Sequence, residues 1–156
     1  MDLIRRTVLK GAGAGGALAV LLATGMLKPT LAYASDWNKA AFEAKDLDAA
    51  LKAIGGLGAA AHAGLVMRAP EIAENGAVVP IDVTSSIPNT TYVAILARKN
   101  PFPLSAYFEF AGGALGDVSV RLKLAETTIV QAIAKADGKV YNAQREIKVT
   151  VGGCGG

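Results

Sequence analysis

The sequence predicts a mainly β chain, two antiparallel sheets packed face to face, and three observations carry that prediction. From Leu65 onward, apolar residues recur with period two in about seven short runs. Turn-forming clusters punctuate those runs: Glu74-Asn75-Gly76, Pro88-Asn89, Asn100-Pro101-Phe102-Pro103, Gly112-Gly113 and Asp137-Gly138. The chain has one cysteine, near its C-terminus, so no disulfide can join the sheets and apolar faces must hold them. The expected architecture is therefore an immunoglobulin-like antiparallel β-sandwich with a short N-terminal helical segment and a flexible glycine-rich C-terminal arm.

Residues 1–34 read as a twin-arginine export signal. Arg5-Arg6-Thr7-Val8-Leu9-Lys10 supplies the arginine pair, and Gly11 to Leu27 is a weakly apolar stretch closed by Lys28. Ala32-Tyr33-Ala34 gives the small-x-small cleavage site. The stretch is too short and too rich in glycine for a membrane anchor. The chain has 16 basic and 13 acidic residues. The leader holds Arg5, Arg6, Lys10, Lys28 and Asp2, so the mature chain from Ser35 is formally neutral. Its whole-chain basicity is therefore no argument for nucleic acid or an anionic membrane. The twin-arginine route implies export in the folded state, to the periplasm. One His and one Cys make no haem, zinc or iron–sulfur ligand set. No cofactor is expected, and a protein partner acquired before export is.

Residues 35–64 read as helix and linker. Ser35 or Asp36 is the expected first cap, with Trp37, Ala40, Ala41 and Ala44 at helical spacing. Asp46 caps a second stretch whose stripe is Leu47, Ala50, Leu51 and Ile54, stopped by Gly55-Gly56. Gly55 to Gly64 is a small-residue linker carrying His62. Residues 65–151 hold the strands. Clean alternation marks Val79-Ile81-Val83, Leu104-Ala106-Phe108-Phe110, Val118-Val120-Leu122-Leu124 and Ile147-Val149-Val151. Leu65–Arg68, Thr91–Ala97 and Thr127–Lys135 are less regular but extended. Asp137-Gly138 is the strongest hairpin signal. The last strand is expected to end at Val151.

Residues 152–156 are the arm: Gly152-Gly153-Cys154-Gly155-Gly156. A thiol between glycine pairs has no packing role, and three residues beyond Val151 extend on the order of 10 Å. An ordinary exposed thiol, with a pKa of roughly 8.5, is only a few per cent thiolate at neutral pH. No His or acid stands near it in sequence to act as a base. Cys154 is thus a poor catalytic nucleophile and a good handle: glycine gives the arm a thin cross-section that threads into another protein's active site.

These residues resemble the SoxY family, the sulfur-carrier subunits of the periplasmic thiosulfate-oxidising Sox system. The arm carries the resemblance, together with the twin-arginine signal, the run Ala69-Pro70-Glu71-Ile72-Ala73-Glu74-Asn75-Gly76-Ala77-Val78-Val79-Pro80, and Asn100-Pro101-Phe102-Pro103. It implies a non-catalytic carrier on which Cys154 holds sulfur intermediates covalently, with Gly152, Gly153, Gly155 and Gly156 as the arm. It also implies a heterodimer with a separate SoxZ-like subunit. Transient docking follows to the haem enzyme SoxAX, the manganese-dependent hydrolase SoxB and, in some systems, the sulfane dehydrogenase SoxCD.

The main rival is a structural periplasmic sandwich subunit whose Cys154 serves only as an intermolecular disulfide tether. The flanking glycines weigh against it, although two arms can also oxidise to a homodimer. Among the remaining candidates, His62 lacks a second metal ligand, and Glu71 and Glu74 read as a solvated turn rather than an acid/base pair. Tyr107, Phe108 and Phe110 read as sheet faces. Gly112-Gly113 lacks a phosphate-loop context.

Overall fold

The computed structural model describes residues 38–111 and 113–151, and among these two short helices come first. They are α1 (Lys39–Glu43) and α2 (Leu47–Ala53). The cap of α1 is Asn38, whose side-chain oxygen accepts from the Ala41 amide at 3.1 Å. Its side-chain nitrogen also donates to the Ala53 carbonyl at 3.0 Å, tying the two helices together. Neither Ser35 nor Asp36 is the cap, and both lie, with Trp37, outside the described residues. Asp46 caps α2 as expected, accepting from the Ala49 amide at 2.8 Å. Gly55, at φ +66°, then closes a paired C-terminal cap: its amide bonds Lys52 and that of Gly56 bonds Leu51, at 3.1 and 2.7 Å.

Nine strands follow: β1 (Ala60–Ala61), β2 (Leu65–Arg68), β3 (Ile72–Ala73), β4 (Val79–Ser85), β5 (Thr90–Ala97), β6 (Leu104–Glu109), β7 (Gly116–Leu122), β8 (Thr128–Ala136) and β9 (Lys139–Val149). The larger sheet runs β1-β9-β8-β5-β6, with β3 also pairing β9, and the smaller runs β2-β4-β7. The core lies between them, where Ile81 and Val83 of β4 meet Val93 and Ile95 of β5 and Val130, Ala132 and Ala134 of β8.

β5 and β8 are buried on both faces, which explains why their sequences do not alternate. Their second face (Tyr92, Ala94, Leu96, Ile133) packs under Ala41, Ala50, Leu51 and Ile54 of the helical layer. Gly56 lets that layer approach closely: a Cβ there would stand 3.2 Å from Ile133 Cγ2. Tyr107 of β6 belongs to the same face, its ring 5.1 Å from that of Tyr92. Leu104 packs there as well, so the face expected for Leu104 with Ala106 and Phe110 is divided between the two cores.

Two further differences from expectation share one cause. The linker between Gly55 and Gly64 contains β1, and the last strand begins at Lys139, well before the alternating Ile147-Val149-Val151 run. β9 is the outer long strand of its sheet, so an uncovered edge would present unpaired amides and carbonyls. β1 pairs in parallel with Tyr141 and Asn142, and β3 with Lys148 and Val149, so two short segments cover that edge. The Asp137-Gly138 hairpin is as expected. Both residues have positive φ, 49° and 74°, and Ala136 pairs Lys139 across a two-residue primed turn.

The Tyr92 hydroxyl donates to the Ile54 carbonyl at 2.9 Å, fastening the helical layer to the sheet. Burial, with a smaller contribution from Tyr107, pushes its pKa up to about 12. The unfolded value is about 10. The raised pKa means that the fold holds the neutral phenol. This contribution to stability is complete below about pH 10 and is lost as pH rises from about 10 to 12. We expect Tyr92→Phe to remove that alkaline loss while lowering stability at neutral pH by about 1 kcal/mol. Denaturant midpoints at about pH 8 and about pH 11.5 check it, and the same alkaline drop in both proteins would refute the assignment.

Candidate functional site

The residues expected to form the site, Gly152, Gly153, Cys154, Gly155 and Gly156, lie outside the described residues. The structure describes the mount from which they leave. β9 ends at Val149, two residues earlier than expected, but backbone pairing continues to Val151. On one side, the Lys148 amide donates to the Glu71 carbonyl at 2.9 Å, and that of Thr150 to the Ala73 carbonyl at 3.1 Å. The Thr150 hydroxyl donates to the Glu74 carbonyl at 3.0 Å. On the other, the Thr127 hydroxyl accepts from the Val149 amide at 2.9 Å.

Asn75 explains how one segment reaches both strands. Its side chain accepts from the Ala77 amide at 2.8 Å, turning the chain from β3 into β4. That turn inserts Gly76 between the arm's base and the smaller sheet. The Gly76 amide donates to the Val151 carbonyl at 2.8 Å, and its carbonyl accepts from the Leu124 amide at 2.7 Å. The last described residue is therefore held by backbone bonds to the sandwich.

The Asn100-Pro101-Phe102-Pro103 loop arrives at the same end. The Asn100 side chain donates to the Lys123 carbonyl at 2.8 Å and accepts from the Ala125 amide at 3.1 Å, bracketing the Leu124 that bonds Gly76. Asn100, Pro101, Phe102, Lys123 and Ala125 line a cleft of about 290 Å³. Phe102 is 49% exposed, and Ile72, Val78 and Val151 are each more than half exposed. Three apolar side chains of the mount and one of the cleft thus face solvent at the end from which the arm departs.

The other candidates fall elsewhere or act differently. His62 is exposed, its ring 4.8 Å from that of Tyr141, and its Nδ1 accepts from the Gly64 amide at 2.9 Å. Tyr141 lies eight residues up β9 from Val149, about 27 Å of strand, well beyond a tether of about 10 Å. His62 is therefore not positioned as a base for Cys154. Glu71 and Glu74 are exposed carboxylates that hold the mount through their backbone carbonyls. Among the described residues no group of three or more His, Cys, Asp or Glu is gathered to hold a metal. Tyr107 donates to Glu109 at 3.4 Å; burial first, and that carboxylate second, raise its pKa. Gly112 lies outside the described residues.

Sequence reasoning missed the mounting roles of Asn75, Gly76, Asn100 and Thr127. Asn75-Gly76 and Asn100-Pro101 were legible as turns, but nothing in their spacing says that both turns close on one β-strand end.

Comparison with known proteins bears on the arm and the mount together. A family model described as sulfur oxidation protein SoxY matches residues 51–154. Among solved structures, the sulfur carrier protein SoxY from Chlorobium limicola f thiosulfatophilum is 38% identical. The match covers 67% of this chain and 94% of that one, with a TM-score of 0.60. A structure of the bacterial superantigen toxic shock syndrome toxin-1 matches at 17% identity, covering 55% of this chain and 99% of that one. Its TM-score is 0.38, too low to bear on fold or function. No curated protein sequence matches significantly.

Proposed function

The chain belongs to the SoxY family and is a carrier protein of sulfur oxidation, and from that premise we propose that Cys154 is its covalent attachment point. The loading step joins the thiol to the terminal sulfur of thiosulfate. It releases one proton and two electrons and leaves a cysteine S-thiosulfonate, with a haem enzyme of the SoxAX kind as oxidant. A SoxB-type hydrolase then adds water to the sulfonate sulfur, and the S–S bond to it breaks. Sulfate departs, two protons are released and a persulfide anion stays on Cys154. Where a SoxCD-type dehydrogenase is present, it oxidises that sulfane, and a second hydrolysis returns the thiol. The chemistry of the link is that of a disulfide, in which a thiolate or persulfide is the leaving group.

This chain's own contribution is non-catalytic. It holds the anion on a tether, which raises its concentration at successive active sites, and it anchors that tether at Val151. Gly152, Gly153, Gly155 and Gly156 give the tether reach and a narrow profile. The proposal includes cleavage of residues 1–34, residence in the periplasm, a SoxZ-like subunit as heterodimer partner, and a division into residues 35–64, 65–151 and 152–156. The observation that carries the reading is the family match, which runs through the body and includes Cys154.

Trypsin cuts after Lys148, so the peptide 149–156 isolates the arm. From cells oxidising thiosulfate, its mass is expected to include sulfane and sulfonate adducts on Cys154. If that peptide is found only as an unmodified thiol or a disulfide dimer, the tether reading replaces this one.

A further inference from the structure

Asn75-Gly76 is the only asparagine–glycine pair in the chain, and it stands where the end of β9 is tied to the smaller sheet. Such a pair carries its own chemistry. The nitrogen of the following peptide can attack the asparagine side-chain carbonyl, and glycine has no side chain to obstruct the approach.

The structure poises one partner of that attack and restrains the other. Asn75 is exposed, and its Oδ1 accepts from the Ala77 amide at 2.8 Å. That bond folds the side-chain carbonyl over the Gly76 peptide and polarises it toward a nucleophile. Gly76 is buried, and its N–H donates to the Val151 carbonyl at 2.8 Å. Its own carbonyl accepts from the Leu124 amide at 2.7 Å. To attack, the Gly76 nitrogen must give up its proton to a base, so it must first leave Val151. The other asparagines lack this arrangement. Asn100 precedes a proline, which has no N–H, and Asn38, Asn89 and Asn142 precede residues whose side chains crowd the approach.

We propose that Asn75 is a site of spontaneous deamidation, gated by the hydrogen bond between Gly76 and Val151. When that bond opens, the Gly76 nitrogen loses its proton and joins Asn75 Cγ, and ammonia leaves. The cyclic imide then takes up one water. Opening at Cγ gives aspartate. Opening at the Asn75 backbone carbonyl gives isoaspartate, whose main chain runs through Cβ and Cγ. The net change is amide plus water to carboxylate plus ammonium, with no change of oxidation state. Isoaspartate adds a carbon to the main chain just before Gly76, so Gly76 no longer meets Val151 and Leu124 in one register. Opening of the root permits the modification, and the modification keeps the root open. This chemistry needs only the mount and is independent of what Cys154 carries.

The test incubates the folded full chain at mildly alkaline pH and then follows the tryptic peptide 69–98 by mass, with fragmentation placing the change at Asn75. The same peptide, released first and incubated alone, gives the unrestrained rate. Folded wild type is expected to react about tenfold more slowly than the peptide. Thr150→Val and Thr127→Val each remove a hydroxyl that holds residues 149 and 150. Each is expected to speed the folded reaction about fivefold, the effect of one hydrogen bond on an opening equilibrium. Ile95→Ala, which weakens the core and leaves the mount intact, keeps the wild-type rate. In isoaspartate-enriched protein, the Gly76 and Leu124 amides are expected to exchange hydrogen faster than in wild type. If folded wild type reacts as fast as the peptide, or Ile95→Ala speeds the reaction as much as the threonine variants, Val151 does not gate the site. If no folded protein changes at Asn75 while the peptide reacts, the site does not exist. Unchanged exchange in the isoaspartate form would refute the loosening of the root.

Discussion

Cys154→Ser is expected to reduce thiosulfate-dependent electron transfer, in a system reconstituted with its enzymes, to the level seen without the carrier. Serine is close in shape, but its oxygen forms no stable bond equivalent to the sulfur–sulfur link, and its proton leaves only at far higher pH. No intermediate can then be held between active sites. Folding is expected to be unaffected. The mount is fixed by bonds from Glu71, Ala73, Glu74, Gly76 and Thr127 to residues 148–151, and none involves residue 154. The unfolding free energy is expected to stay within about 0.5 kcal/mol of wild type. Two measurements, turnover and a denaturation midpoint, check this pair of statements. A serine protein that still supports turnover would sink the carrier assignment.

Ile95→Ala is expected to do the reverse. Ile95 lies on β5 in the middle of the larger sheet, fully buried and facing the smaller one. Removing its branched side chain loses transfer free energy and leaves a cavity that strands on both sides prevent from collapsing. The expected cost is about 2–5 kcal/mol, against a total stability of about 5–15 kcal/mol for a domain of this kind. The urea midpoint should fall with the slope unchanged, because the surface exposed on unfolding is nearly the same. Turnover per folded molecule should match wild type, since the proposed attachment point, Cys154, is not among the core residues that Ile95 packs against. A variant that keeps its midpoint would mean that Ile95 does not fill the core as described. One that loses turnover while folded would mean that the body takes part in the chemistry.

The two expectations separate because the proposed attachment point and the core lie in different stretches of chain, and this division is also what made the sequence partly readable. The strand faces at Val79-Ile81-Val83 and the primed turn at Asp137-Gly138 were legible because their causes are local. A half-buried strand must alternate, and a two-residue hairpin needs two residues that tolerate positive φ. β5 and β8 were less legible, since burial on both faces removes the alternation. The helical layer that buries their second face comes from residues about forty to ninety positions earlier. β1 and β3 gave no usable signal. Two-residue segments have no period, and their pairing exists only because β9 leaves an edge to cover.

The same distinction holds at the candidate site. The candidate arm was legible wholly in sequence, as a cysteine between glycine pairs, and the family resemblance rests on those residues, the twin-arginine signal and two short runs elsewhere. What those two runs do was decided by the tertiary structure. Asn75-Gly76 and Asn100 read as turns, and turns they are, yet from two separate parts of the chain both close on the segment around Leu124, and Gly76 bonds Val151 as well. The two asparagine side chains and the Gly76 backbone make that convergence, but the groups they meet at residues 123–125 and 151 are backbone amides and carbonyls, which any residue type but proline offers, so the sequence does not say which distant segment they bond. The sequence by itself determined the sandwich, through its period-two runs and turn residues, and the family to which the chain belongs. Only folding determined that one end of the sandwich holds the arm's root and an exposed aromatic cleft side by side, because that adjacency depends on distant strands meeting.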